Sequence, residues 1–362
     1  MLWLVLFAAA GLAALFSLFY LITRFHKFSF MQKLGEKRRK LSWVLSSVPV
    51  AALFSLNVVN AYTPVIVLLH LSLIWGICDL VTFIHRKVRH SWSSRYKTGA
   101  VALSVTAVYM LAGWFFAHHV FETDYRLKTN KELGESRLRV ALIADSHIGV
   151  TLDSDKFAAQ MKRLNACKPD AIIIAGDFVD DDTKRYDMVR ACQALGETST
   201  KYGVFYADGN HDKGYGNSRG FSIDDLYAEL EKNGVTVLLD ETAVFDHLNI
   251  IGRKDYGAPD RKTASELTDG LDTDKYTIMI DHQPRDYAAE SGTPTDLVLS
   301  GHTHGGHIFP AALVSLAFND KIYGKEVRDG TTFIVTSGIS GWAIPFKTGC
   351  ISEFVIIDVY DR

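Results

Sequence analysis

The chain has 362 residues, 48% of them hydrophobic, with 39 Lys/Arg against 41 Asp/Glu. That near-balance hides two parts of opposite sign: residues 1–120 hold twelve basic and two acidic side chains, and residues 121–362 hold 27 and 39. A length above the ~100–200 residues of a usual domain, split this way, excludes one uniform globule, and the acidic part excludes a nucleic-acid scaffold, which needs clustered positive charge.

In chain order, residues 1–23 contain no charged side chain, enough to cross a hydrocarbon core of about 30 Å. There is no basic n-region, and no small-x-small cleavage site follows, so a signal anchor is expected rather than a cleaved leader. Further apolar runs at 41–59, 65–85 and 98–120 make four expected spanning helices within a transmembrane region, 1–120. The segments between them alternate: 24–40 is basic, 60–64 (Asn60-Ala61-Tyr62-Thr63-Pro64) is uncharged, and 86–97 is basic again. By the positive-inside rule both basic loops are cytoplasmic, and everything after residue 120 is expected outside. Asp79 is the one acid within these spans. It stands about two helical turns before Arg86, so a local pair with that arginine is expected in preference to an ion pathway.

A polar connector is expected at 121–136, then a soluble domain over 137–362. Branched apolar runs at 138–144, 171–175 and 204–206 read as buried strands. They alternate with helical patterns near 155–167, 184–195 and 223–233, which is the signature of βαβ units and a largely parallel sheet. Runs at 235–239, 243–251, 276–280, 296–299, 332–336 and 354–359 read as strands of a second sheet packed on the first. Cys167, Cys192 and Cys350 lie in no C-x-x-C pattern and are read as structural, their disulfide status being open.

The apolar runs end in residues of one chemical kind. The first leads into Asp145-Ser146-His147, the second into Gly176-Asp177, and the third into Gly209-Asn210-His211-Asp212. The run at 276–280 leads into Asp281-His282, and 297–299 into Gly301-His302-Thr303-His304-Gly305-Gly306-His307. Neutral imidazole ligates metals, and sites form at the carboxyl ends of strands in open α/β sheets, so these residues are expected to converge. A mixed carboxylate, amide and imidazole set without thiolate suits Mn²⁺, Fe or Zn²⁺.

The order D-x-H, G-D, G-N-H-D, H, G-H-x-H resembles the calcineurin-like metallophosphoesterase superfamily over roughly 137–360. The G-H-T-H-G-G extension is similar to membrane-associated bacterial phosphodiesterases of that superfamily. So is Pro345-Phe346-Lys347-Thr348-Gly349-Cys350-Ile351-Ser352-Glu353, where Lys347 takes the place of an arginine. The resemblance implies a four-layered αββα sandwich. It implies two divalent ions, manganese first: Asp145, His147 and His304 on one, Asn210, His282 and His302 on the other, Asp177 bridging. It also implies that His211 stabilises phosphoryl oxygens or protonates the leaving oxygen, with Asp212 holding its ring.

Asp281 would point away from the ligand face and is read as structural. His307 stands open between a substrate contact and a surface histidine, and Arg253 between a phosphate contact and a solvated turn. The run Asp180-Asp181-Asp182 is read as a helix-opening cap. The apolar stretch at 308–318 is expected to fill core, the alternative being an exposed lip that dips into the membrane interface.

The expectation is a multi-pass protein of a bacterial cytoplasmic membrane, hydrolysing a phosphodiester, phosphomonoester or pyrophosphate at the outer face. A phospholipid or lipid-linked (pyro)phosphate is the favoured substrate. The alternatives are the same chemistry on soluble nucleotides or a cytoplasmic lipid-sugar nucleotide, and a non-catalytic sensor or scaffold. The bilayer and the phosphate ester are the only partners inferred.

Overall fold

The structure is a computed structural model that describes residues 2–89, 96–216, 219–310 and 312–361. Part of the second basic loop, 90–95, therefore lies outside the described residues, as do Met1 and Ala311. The chain divides into two compact units, Met1–Ala112 and Gly113–Arg362.

The first unit is helical: α1 (Leu2–His26), α2 (Ser29–Lys37), α3 (Arg39–Ala52), α4 (Thr63–Arg89) and the greater part of α5 (Thr98–His118). Four stretches are long and apolar enough to cross a membrane, 8–26, 39–58, 63–88 and 98–118. The first basic loop is itself a helix, α2, whose polar residues keep it from being a span. Leu21, Val50, Leu68, Leu71, Trp75 and Ala102 form a small interior. Between α3 and α4 the Asn60 side chain accepts the Tyr62 N–H at 2.7 Å, the local Asn turn that reverses the chain. Asp79 corrects its expected pairing. Its carboxylate takes the guanidinium of Arg24 and the hydroxyl of Tyr20, both on α1, so a neighbouring helix supplies partners for it.

The second unit runs β1 (Val120–Thr129), β2 (Arg137–Ile143), α6 (Ser154–Ala166), β3 (Ala171–Ala175), α7 (Arg185–Gly196), β4 (Gly203–Ala207), α8 (Ile223–Lys232) and β5 (Val235–Val237). It continues β6 (Glu241–Val244), β7 (Leu248–Gly252), α9 (Ala264–Thr268), β8 (Tyr276–Ile280), α10 (Tyr287–Glu290), β9 (Leu297–Ser300), α11 (Ala312–Ser315), β10 (Gly324–Arg328), β11 (Thr331–Val335) and β12 (Ser352–Asp361). Two six-stranded sheets result, ordered β1-β12-β2-β3-β4-β5 and β10-β11-β9-β8-β7-β6. Side-chain alternation sorts the layers. Ile143, Ile172, Ile174 and Tyr206 face Phe157, Met161, Met188, Leu195 and Leu230 of the covering helices. Leu142, Ile173, Phe205 and Ile357 face Ile250, Ile278, Leu299 and Ile334 of the other sheet. Ile251, Met279, Val298 and Phe333 turn outward to Leu267 and Tyr287. The expected αββα sandwich is present.

Three expectations about this unit change. The first part of the polar connector, 121–129, instead belongs to the edge strand β1, paired in parallel with β12 from Val120↔Ser352 to Thr129↔Asp361. The segments at 235–239 and 354–359 were expected in the second sheet; β5 and β12 both belong to the first, β12 lying antiparallel to β2. The disulfide status that the sequence left open is settled: Cys167, Cys192 and Cys350 are free thiols, as is Cys78 of the first unit.

Candidate metal centre

The carboxyl ends of β2, β3, β4, β8 and β9 point to one place, and the loops that leave them carry the histidines and acids. Asp145, His147 and His304 form one buried group of donor atoms; Asp177, His282 and His302 form a second. Asn210 joins the second, its Oδ1 lying 2.8 Å from His302 Nδ1. Asp177 Oδ2 is 3.1 Å from His282 Nε2 and 3.8 Å from His147 Nε2, so one carboxylate reaches a member of each group. His147 and His304 oppose Nε2 to Nε2 at 3.2 Å.

This convergence requires unusual backbone. Asp145, His147, Asp177, His302, His304 and His307 have φ between 35° and 69°, six of the ten described non-glycine residues at positive φ. Each such residue costs about 1–3 kcal/mol, and such strain clusters at functional sites. Close approach does the rest. A Cβ on Gly176 would lie 2.6 Å from His282 Nδ1 and 2.7 Å from the Gly209 nitrogen, so only glycine lets three loops meet there.

The donors fit a pair of cations. His282 Nδ1 lies 2.7 Å from the Ala175 carbonyl, which can only accept, so Nδ1 carries the proton and Nε2 the lone pair of the neutral ring. That lone pair faces the Asp177 carboxylate, an arrangement that needs a proton or a metal ion between them. Burial, and then the neighbouring His282, push His302 down to about 3. Burial and His147 likewise drive His304 well below the usual imidazole value. Both rings are thus kept neutral, the form that ligates metal. Burial pushes Asp145 up to about 6 against the pull of His282. Burial would also raise Asp177, but His282, His147 and His211 outweigh it and hold that carboxyl far below the usual range.

Around these donors the structure reassigns several expected roles. Asp212 does not hold the His211 ring. Its carboxylate accepts the N–H groups of Asp177 and Gly209, each at 2.8 Å, and of Val179 at 3.1 Å, stapling the loops after β3 and β4. The ring is held by Asp180, whose Oδ1 lies 3.2 Å from His211 Nδ1 and whose Oδ2 lies 3.1 Å from His147 Nδ1. Asp180 is therefore not a helix cap; the residue preceding α7 is Lys184. Burial would lower His211, but Asp180, then Asp177, raise its pKa above the ordinary value.

Arg253 is no phosphate contact. It is 2% exposed, with Nη1 3.0 Å from both Asp281 and Glu290 and 2.9 Å from Asp286, so its charge is spent inside the fold. Asp281 is structural, as expected. The cation whose field reaches His302 is Arg285, half-buried on the loop after His282. His307 is no surface histidine: its ring stacks on His304 at 5.2 Å, and its Nε2 is buried without a partner. Lys347 is fully buried, and its ammonium donates to the carbonyls of Ser337, Gly338 and Ile351 at 2.6, 3.0 and 3.1 Å. Two aromatic residues had no motif to announce them. Tyr215 and Trp342, 71% and 40% exposed, flank His211 with ring centroids 5.3 and 5.2 Å away.

Residues 138–306 match the family model of the calcineurin-like phosphoesterases. They form a calcineurin-like phosphoesterase domain. This match supports a metal-dependent phosphoester hydrolase domain within the chain. It is similar to an uncharacterised metallophosphoesterase of Campylobacter jejuni, 25% identical over 82% of this chain and 79% of that protein. A Helicobacter pylori metallophosphoesterase is 30% identical over 62% of this chain and 60% of its own length. A Danio rerio transmembrane protein with metallophosphoesterase domain is 28% identical over 73% of this chain and 63% of its own. The chain thus spans less than two thirds of the last two. The phosphoesterase domain and the four candidate spans together give the coarse picture of an enzyme domain on a membrane-associated chain.

Proposed function

We propose that this chain is a dinuclear phosphoester hydrolase at the outer face of a bacterial cytoplasmic membrane, acting on a phospholipid or lipid-linked (pyro)phosphate. Asp145, His147 and His304 would hold one divalent ion and Asn210, His282 and His302 the other, Asp177 serving both. The observation that carries this is the Asp177 carboxylate, within 3.8 Å of an imidazole nitrogen from each donor group. When bound, the two ions, manganese first, supply Lewis acidity toward water and toward the phosphoryl oxygens. The oxygen of water forms the new P–O bond, the bond from phosphorus to the leaving oxygen breaks, and that oxygen takes up a proton. His211 would deliver it: Nδ1 is engaged by Asp180, and Nε2 is the nitrogen left for the leaving oxygen.

A membrane-held substrate is favoured by the four candidate spans in the same chain. The exposed rings of Tyr215 and Trp342 beside His211 favour a second reading, a leaving group with a flat ring as in a soluble nucleotide. In the purified full chain with Mn²⁺, Asp177→Asn is expected to abolish hydrolysis of bis(p-nitrophenyl) phosphate and to lower bound metal measured by mass spectrometry. Wild-type turnover with full metal content in the variant would refute the dinuclear reading. Rates on nucleotides against lipid phosphates in vesicles decide the substrate.

A further inference from the structure

We propose that Phe309 and the residues at 313–318 form a lip that enters the membrane interface and admits the lipid part of the substrate to the metal centre. This rests on the hydrolase reading above and extends it to how a lipid reaches the site. The segment does not fill core as expected. Phe309, Leu313, Leu316 and Phe318 are 47%, 63%, 53% and 42% exposed, and Val314 is also exposed. Contiguous apolar surface of this kind is unfavourable in water and marks a binding surface. The lip begins two residues after His307, so it is the continuation of the metal loop.

What covers the lip follows from where its root is tied. The His307 carbonyl accepts the N–H of Thr348 at 3.0 Å and of Gly349 at 3.1 Å, and the Phe309 N–H donates to Thr348 Oγ1 at 3.1 Å. The same 346–352 stretch runs along the last turns of α5, which belong to this unit. The Lys347 N–H donates to the Gly113 carbonyl at 2.9 Å, Ser352 Oγ donates to the Ala117 carbonyl at 3.1 Å, and the Phe346 ring meets Trp114 edge-on at 5.5 Å. The helix α5 has 21 residues and the composition of a span. Gly113 lies five residues before its end, about 7 Å inside along the axis. Trp114 and Phe115 there are exposed, an aromatic pair of the sort that sits at the headgroup level. The loop sewn to the lip is thus fastened to a spanning helix at the depth where headgroup and acyl chain meet. An interfacial apolar element at that depth is stabilised by the bilayer.

Two measurements on the full chain test this. With Leu313→Cys carrying an environment-sensitive fluorophore, phosphatidylcholine vesicles containing doxyl-labelled lipid are expected to quench the added emission relative to the labelled parent. Absence of extra quenching overturns the lip. Second, Leu313→Ser combined with Phe318→Ser is expected to slow hydrolysis of a long-chain phosphate ester in those vesicles at least tenfold, with bis(p-nitrophenyl) phosphate turned over as by the parent. Equal losses on both substrates, or none on the vesicle substrate, overturn admission of lipid through the lip. A parent that hydrolyses neither ester sinks the hydrolase reading instead, and the quenching result stands apart from it.

Discussion

Asp180 holds two imidazoles with one carboxylate: that of His147, in a metal-donor group, and that of His211, the proton donor proposed above for the leaving oxygen. Partners that orient ligands and acids are typically worth ten- to a hundredfold in metal affinity or activity. Asp180→Asn is therefore expected to lower kcat about tenfold or more on the soluble diester, and also to raise the Mn²⁺ concentration needed for half-maximal rate. His211→Asn is expected to lower kcat alone. A titration of rate against Mn²⁺ separates the two, and an unchanged metal requirement in Asp180→Asn would remove His147 from its charge. Most donors were legible because each directly follows an apolar run, where a strand end must deliver it to a common edge. Asp180 was not, since one acid in a run of three reads as a helix cap. Asp212 was misassigned because adjacency to His211 in sequence implies no contact on an irregular turn. Arg253 looked available because nothing in sequence says that Asp281 and Glu290 fold onto it from 28 and 37 residues away.

Elements were legible by period and much less so by partner. Residues 120–129 alternate inward Phe121, Thr123, Tyr125 and Leu127 with outward Glu122, Asp124, Arg126 and Lys128. This two-residue period belongs to a half-buried strand; its charges disguised it as a connector. The insertion of β12 between β1 and β2 was hidden for another reason: sheet membership depends on contacts more than 200 residues apart, which no local pattern encodes. One visible device fixes that placement. Arg139 on β2 grips Asp358 on β12 with two parallel bonds, Nε–Oδ1 at 2.7 Å and Nη2–Oδ2 at 2.8 Å. The hydrogen bond from Arg139 lowers the Asp358 pKa below the usual carboxylate value. A group whose pKa is depressed on folding stabilises above its unfolded value, about 3.9, and loses that contribution as pH falls through the folded one. The pair is partly solvated, so its worth is about 1 kcal/mol at most. Asp358→Asn should lower the melting midpoint of the solubilised chain by about 2–4 °C at pH 7. The gap should close as pH drops below about 4. A gap that persists undiminished in acid would assign the loss to packing instead of charge.

For the whole molecule, charge and hydrophobicity act on different parts. The N-terminal 120 residues carry the basic excess, and it is concentrated in the segments 24–40 and 86–97. With four candidate spans, the proposed orientation keeps the basic segments in the cytoplasm and residues 121–362 on the opposite side. That part carries twelve more acids than bases, so it gains nothing from the anionic surface of a bilayer. On the reading proposed above, its hold on the membrane comes from α5 and from the apolar lip. Sidedness then decides which substrates the metals can meet. Lys156 lies on α6 with a side chain 59% exposed, and Lys40 lies in the first basic segment. In intact cells Lys156→Cys is expected to react with a membrane-impermeant maleimide above the background of the four native thiols. Lys40→Cys should react only after permeabilisation. The reverse pattern would put the metal centre in the cytoplasm, where the accessible esters are soluble nucleotides and cytoplasmic lipid-sugar nucleotides, and outer-leaflet lipids would be out of reach.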